Sequence, residues 1–199
     1  MSSVQESNLK PENILLIMNQ KENQRLIKDL LNQEYNLKTY EEIDNLALDA
    51  EPDLIIIDPK TFLRLKSKIT SIKEKEKPTY LPIMILVSKN NQEMLSRKNA
   101  LLNEYIIDDL VEIPLPKLDF LSRVKNLLHT RELSLLAEKN YYTLAGESPV
   151  GICILQDNKI KYTNKAFSII TGKPKEQIID SDILDYIADD DREKIKIFI

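Results

Sequence analysis

The stretch DLIIIDPKTF, Asp53 to Phe62, decides how the first half of this chain is read. Four consecutive apolar residues, Leu54 to Ile57, end on the carboxylate of Asp58, and Pro59 follows at once. A strand that is apolar at every position, not every second one, is covered on both faces, which is the usual condition of a parallel sheet. Working outward, two more such runs appear: ILLIM from Ile14 to Met18 and IMILV from Ile83 to Val87. Shorter candidates at Leu37 to Tyr40 and Asp109 to Ile113 complete a set of five. Between them lie helical patterns at Gln24 to Asn32, Glu41 to Ala50, Phe62 to Ile72 and Gln92 to Leu102. Strand and helix alternating at this spacing predict an α/β domain with a doubly wound, five-stranded parallel sheet.

Composition narrows the function. The chain has 199 residues, 42% of them apolar and 30% charged, enough for one ordinary domain and a second small or incomplete one. A net charge of -4, with lysines interleaved among acids as in KEKEK from Lys73 to Lys77, offers no basic stripe for nucleic acid. No apolar run approaches the roughly 20 residues that span a bilayer, and the polar start carries no signal core, so a cytoplasmic location is expected. Cys153 is the only cysteine and His129 the only histidine, too few for a thiolate cluster, a zinc site or an internal disulfide. A metabolic enzyme on this fold would need a glycine-rich phosphate loop, and none of the three glycines follows the first strand.

In a doubly wound sheet, ligands meet the carboxyl ends of the strands, so Met18 with Asn19, Asp58, Val87 with Ser88, and Ile113 with Pro114 are the positions to read. There, PDLIIIDP (Pro52 to Pro59), LPIMILVS (Leu81 to Ser88) and VEIP (Val111 to Pro114) together resemble the response-regulator receiver domain, over about Asn13 to Leu128. The resemblance implies a phosphoacceptor aspartate, an acidic pair that holds Mg²⁺, a hydroxyl residue and a lysine. Asp58 stands at the acceptor position. Met18 and Asn19 stand where the acids belong, Val87 where the hydroxyl belongs, with Ser88 one place beyond, and Ile113 where the lysine belongs. Mg²⁺ requires hard oxygen ligands, and an acyl phosphate requires its charge to be offset. The expectation is therefore a degenerate pseudo-receiver in which Asp58 ends a strand and bonds the loop from Pro59 to Thr61. The alternative is a phosphorylatable receiver that uses Asp58 with Mg²⁺. The family's proline corresponding to Pro114 often follows a cis bond.

After Pro116, the sequence contains neither glycine nor proline until Gly146, which predicts a helix from Leu118 to about Tyr142. Leu121, Val124, Leu128 and Leu135 make an apolar seam that Arg131 interrupts, and the second half is expected to pair with a copy of itself as a homodimer. His129 is followed by Thr130 and Arg131, not by an acid as in the phosphorylated helical histidine of kinases, so it reads as a solvated residue.

From Glu147 the pattern turns to alternation and turns. SPVGI (Ser148 to Ile152), IKYTNKAF (Ile160 to Phe167), TGKP (Thr171 to Pro174) and DDDR (Asp189 to Arg192) resemble the PAS sensory domain. Asn164 is placed to cap a helix, and Gly172 to end it. The resemblance implies three more strands than the chain supplies, so a fragment of a longer protein is expected. Tyr162, Phe167 and Ile170 are candidate pocket lining. The family's haem histidine has no counterpart, and Cys153 lies in a strand rather than in the helical motif of flavin-adduct members, so no cofactor is expected.

The chain thus divides into a receiver-like domain at 1–116, a connecting helix at 117–146 and a truncated α+β PAS segment at 147–199. The expected function is a non-catalytic signalling module of a two-component-type sensory protein; the resemblance implies that such arrays often belong to a histidine kinase, whose catalytic part would lie beyond Ile199. Its partners would be proteins of a phosphorelay or sensory complex, with neither nucleic acid nor membrane.

Overall fold

The computed structural model describes residues 12–40, 51–89, 91 and 106–195, which fall in two compact units, 1–135 and 136–199. The helices expected at Glu41 to Ala50 and Gln92 to Leu102 lie outside the described residues.

The first unit is built on five parallel strands: β1 (Asn13–Ile17), β2 (Asn36–Thr39), β3 (Leu54–Ile57), β4 (Ile83–Ser88) and β5 (Asp109–Ile113), in the order β2-β1-β3-β4-β5. Helices α1 (Lys21–Leu31) and α2 (Pro59–Glu76) follow β1 and β3. The continuous apolar runs are explained by the two layers of core. Ile55 and Ile57, with Leu15, Ile17, Ile83 and Ile85, pack under Phe62, Leu65 and Ile69 of α2. Leu54 and Ile56, with Ile14, Leu16, Met84 and Leu86, face Ile27 and Leu31 of α1 on the other side. Each such side chain, taken fully out of water, contributes about 1.5–3 kcal/mol.

Helix α2 begins three residues before the expected Phe62, because Pro59 suits the first helical position and Asp58 caps it. The long helix α3 runs over Lys117–Glu147, also longer at both ends than its sequence pattern suggests. Phe120, Val124 and Leu128 are its buried residues against the sheet. Arg131 does not interrupt this seam but continues it at 6% exposure, whereas Leu135 is 38% exposed. The division between the units falls within α3, after Leu135.

The second unit contains an antiparallel hairpin of β6 (Cys153–Gln156) and β7 (Lys159–Thr163). Its turn residues Asp157 and Asn158 both have positive φ, 51° and 62°, as a two-residue hairpin of this hand requires. There follow α4 (Lys165–Thr171), α5 (Lys175–Ile178), a 3₁₀ turn (Ile183–Tyr186) and α6 (Asp189–Ile195). Asn164 caps α4, and Gly172, at φ 68°, ends it in the left-handed conformation. A small core gathers Ile160, Ile178 and Ile183 with Phe167, Leu155 and Cys153. Burial pushes the Cys153 thiol up from its ordinary range.

Candidate functional site

The carboxyl ends of β1, β3, β4 and β5 place the expected positions as follows. Met18 is buried at 6% exposure and packs in the core layer with Ile27 and Leu86, so its thioether is part of the hydrophobic interior. Val87 is fully buried in the opposite layer. Asn19 and Ser88 are exposed, and Ile113 is half-buried, joined to Pro114 by a cis peptide.

Asp58 is half-buried, and both of its carboxylate oxygens are engaged. Oδ1 accepts the Thr61 amide at 2.9 Å. Oδ2 accepts the Thr61 hydroxyl at 2.7 Å and the Asn19 amide, from the end of β1, at 2.7 Å. The first two bonds cap α2, and the third ties two strand ends together. Thr61 is fully buried, which fixes its hydroxyl against the acceptor. An ionised carboxylate has about four acceptor positions, and three are used here. The arrangement is that of a structural cap.

Mg²⁺ fits this donor set poorly. It demands near-octahedral hard oxygens, and the strand ends offer one committed carboxylate, a buried thioether at Met18 and aliphatic groups at Val87 and Ile113. Among the described residues no group of three or more metal-ligating His, Cys, Asp or Glu side chains comes together. Beside the strand ends lies a groove of about 630 Å³, lined by Leu26, Ile27 and Leu30 of α1 and by Ser88, Pro114 and Phe120.

Among the described residues, Tyr162 and Ile170 border different spaces. Tyr162 borders a space of about 350 Å³ with Thr163, Ser168 and Lys175, whereas Ile170 lines a different one of about 530 Å³ with Ile169 and Pro149. Phe167 packs on the small core and against Tyr186. His129 is exposed, 3.5 Å from Glu132 one turn on.

The sequence reading missed the polar cluster at the amino ends of the strands. Lys73 of α2 lies 2.5 Å from Asp108, whose carboxylate also accepts the Ile83 amide at 2.8 Å. Burial, together with Asp108, drives the Tyr80 phenol well above its ordinary 10.0. Arg131 reaches the same edge from α3 and meets Glu76 at 2.6 Å. These residues stand far apart in sequence, and single charges inside helices carry no signal of burial. In the sequence pattern Arg131 stands only as an interruption of the apolar seam of Leu121, Val124, Leu128 and Leu135.

The PAS fold family matches residues 139–198. NtrX from Brucella abortus in complex with ADP shares 17% identity at a TM-score of 0.55, over 75% of this chain and 33% of that one. A structure described as adenylate cyclase from Rhodopirellula baltica shares 17% identity at a TM-score of 0.52, over 66% of this chain and 98% of that one. A response regulator receiver modulated diguanylate cyclase from Pelobacter carbinolicus shares 26% identity at a TM-score of 0.44, over 66% and 97%. The five-stranded parallel sheet of the first unit matches a receiver fold, and residues 139–198 match the PAS fold.

No curated protein sequence matches the chain. The receiver-like sheet and the PAS-fold match together indicate a signal-transduction module. Among the described residues no helix is long and apolar enough to cross a membrane.

Proposed function

We propose that the receiver-fold unit is a pseudo-receiver: a non-catalytic part of a cytoplasmic, two-component-type sensory protein that acts through protein contacts and through rearrangement carried by α3. The observation that carries this reading is the Asp58 carboxylate, whose bonds to Thr61 and Asn19 use it as a cap. A phosphoryl group there would have to displace these donors, and its added charge would find no lysine at Ile113 and no acid pair at Met18 and Asn19 to hold Mg²⁺. The reading includes no bound cofactor.

Intact mass after incubation with Mg²⁺ and a small phosphodonor tests it, with Asp58→Asn alongside and a working receiver as positive control. The expected result is no phosphoryl increment on either form. An increment on the wild type alone would overturn the reading in favour of Asp58 as phosphoacceptor.

The proposal extends to a homodimer through α3. Leu133, Leu136 and Leu144 are 51%, 51% and 72% exposed, and with Asn140 they recur at spacings of three and four on one side of the helix. A second copy presenting the same stripe would cover them, and one polar Asn140 in the seam would fix its register. Sedimentation equilibrium should show a dimer in the wild type and a monomer in Leu133→Lys/Leu136→Lys. A wild type that stays monomeric throughout would remove this part of the proposal.

A further inference from the structure

Helix α3 is held on the sheet by two kinds of contact in succession. Through its first three turns the buried contact is apolar, by Phe120, Val124 and Leu128, with the ion pairs of Arg123 with Asp109 and Lys125 with Glu34 lying at the more exposed rim. At the next inward position stands Arg131, 6% exposed. Nη2 of its guanidinium is 2.6 Å from Glu76, at the end of α2. Nη1 donates to the Thr79 hydroxyl at 3.0 Å and to the Tyr80 carbonyl at 3.2 Å. Nε, buried and without a hydrogen-bond partner among the described residues, lies 3.9 Å from Asp53 at the start of β3. One turn later Ser134 accepts the Tyr80 amide at 2.8 Å. The first unit ends at Leu135.

The buried grip therefore changes from hydrocarbon to charge at Arg131, near the end of this unit. Packing alone does not explain the choice. A buried ion pair contributes little over well-packed apolar residues of the same volume, yet removing one member is costly because the other is left buried and unpaired. Apolar contact tolerates small displacements; a guanidinium fork does not, since its bonds require particular distances and angles. All but one of the groups it contacts belong to a single segment, Glu76 to Tyr80.

We propose that Arg131 is a latch between the α2–β4 loop and α3. With Glu76, Thr79 and Tyr80 in place, the helix is seated through Ser134. When that loop is displaced, the turns beyond Leu128 come free while Phe120, Val124 and Leu128 stay docked. The inference rests on the reading of α3 as the transmitting element and supplies its control point, at the opposite end of the sheet from Asp58.

Hydrogen exchange of the full chain, followed by mass spectrometry, tests it with Arg131→Met, Arg131→Lys and Glu76→Gln. In Arg131→Met and Glu76→Gln, amides over 130–138 and 77–81 should exchange about tenfold faster or more, and those of β1 and β3 should keep their wild-type rates. Arg131→Lys, which keeps the charge but loses the fork, should fall between. Unchanged exchange in Glu76→Gln, or an increase spread evenly over the strands, would overturn the latch. If Arg131→Met fails to fold, Glu76→Gln alone decides. A phosphoryl increment on Asp58 bears on the pseudo-receiver reading and leaves this result intact.

Discussion

Asn164→Ala is expected to unfold the second unit. The Asn164 side chain is 3% exposed and uses both ends of its amide. Oδ1 accepts the Ile152 amide at 2.9 Å and the Phe167 amide at 3.0 Å. Nδ2 donates to the carbonyls of Ala145 at 2.8 Å and Val150 at 2.9 Å. One residue thus caps α4, anchors the chain entering β6 and holds the end of α3. Alanine would leave these backbone groups without partners, at a cost of about 3–5 kcal/mol. A unit with so small a core has little stability beyond that. Hydrogen exchange should show protection lost across β6 and β7 with the first unit's strands unaffected. Asn164→Asp should do as much damage, because it turns a carboxylate oxygen toward the Ala145 and Val150 carbonyls. A loss below about 1 kcal/mol in Asn164→Ala would mean that the helices and hairpin hold each other without it.

The second large effect is expected at Asp58. Asp58→Ala removes the cap of α2 and the tie to Asn19, and leaves the Thr61 hydroxyl, in a fully buried residue, without its acceptor. Denaturant unfolding of the first unit should show about 2–3 kcal/mol lost. Asp58→Asn keeps one carbonyl oxygen for the Thr61 amide and should lose roughly half as much. Were alanine harmless, the carboxylate would not be acting as a structural cap, and the case for the pseudo-receiver would lose its main support. The same series guards the phosphodonor assay, since Asp58→Asn serves as a control there only while it stays folded.

Much of this architecture was legible because one signal dominated. Strands buried on both faces are apolar throughout, and Leu54 to Ile57 divides cleanly between the two core layers. Turn chemistry was equally readable: Asn164 and Gly172 lie where the helix cap and the helix stop occur. Helix ends were less so. The pattern of apolar residues placed the start of α2 at Phe62, although the cap at Asp58 and the proline after it already marked the earlier start. The site divided along the same line. Asp58 could be read as a cap from its own sequence, but its bond to Asn19 joins residues 39 positions apart. Arg131 was misread because a charged residue on an apolar helix face looks like a break in the pattern. Its partners, more than fifty positions earlier, turn it into an inward contact.

The commitment of Asp58 also constrains the order in which this scaffold could regain a chemical site. Installing acids at Met18 and Asn19 and a lysine at Ile113 would come too early. A carboxylate at position 18 would enter the layer occupied by Ile27 and Leu86, and the acceptor would still be held by Thr61. The first substitution on any such route is at Thr61, where Thr61→Ala releases the hydroxyl's bond to Oδ2. Each later change has value only after that one, so the path back is ordered, and its first step weakens the fold before any step restores reactivity.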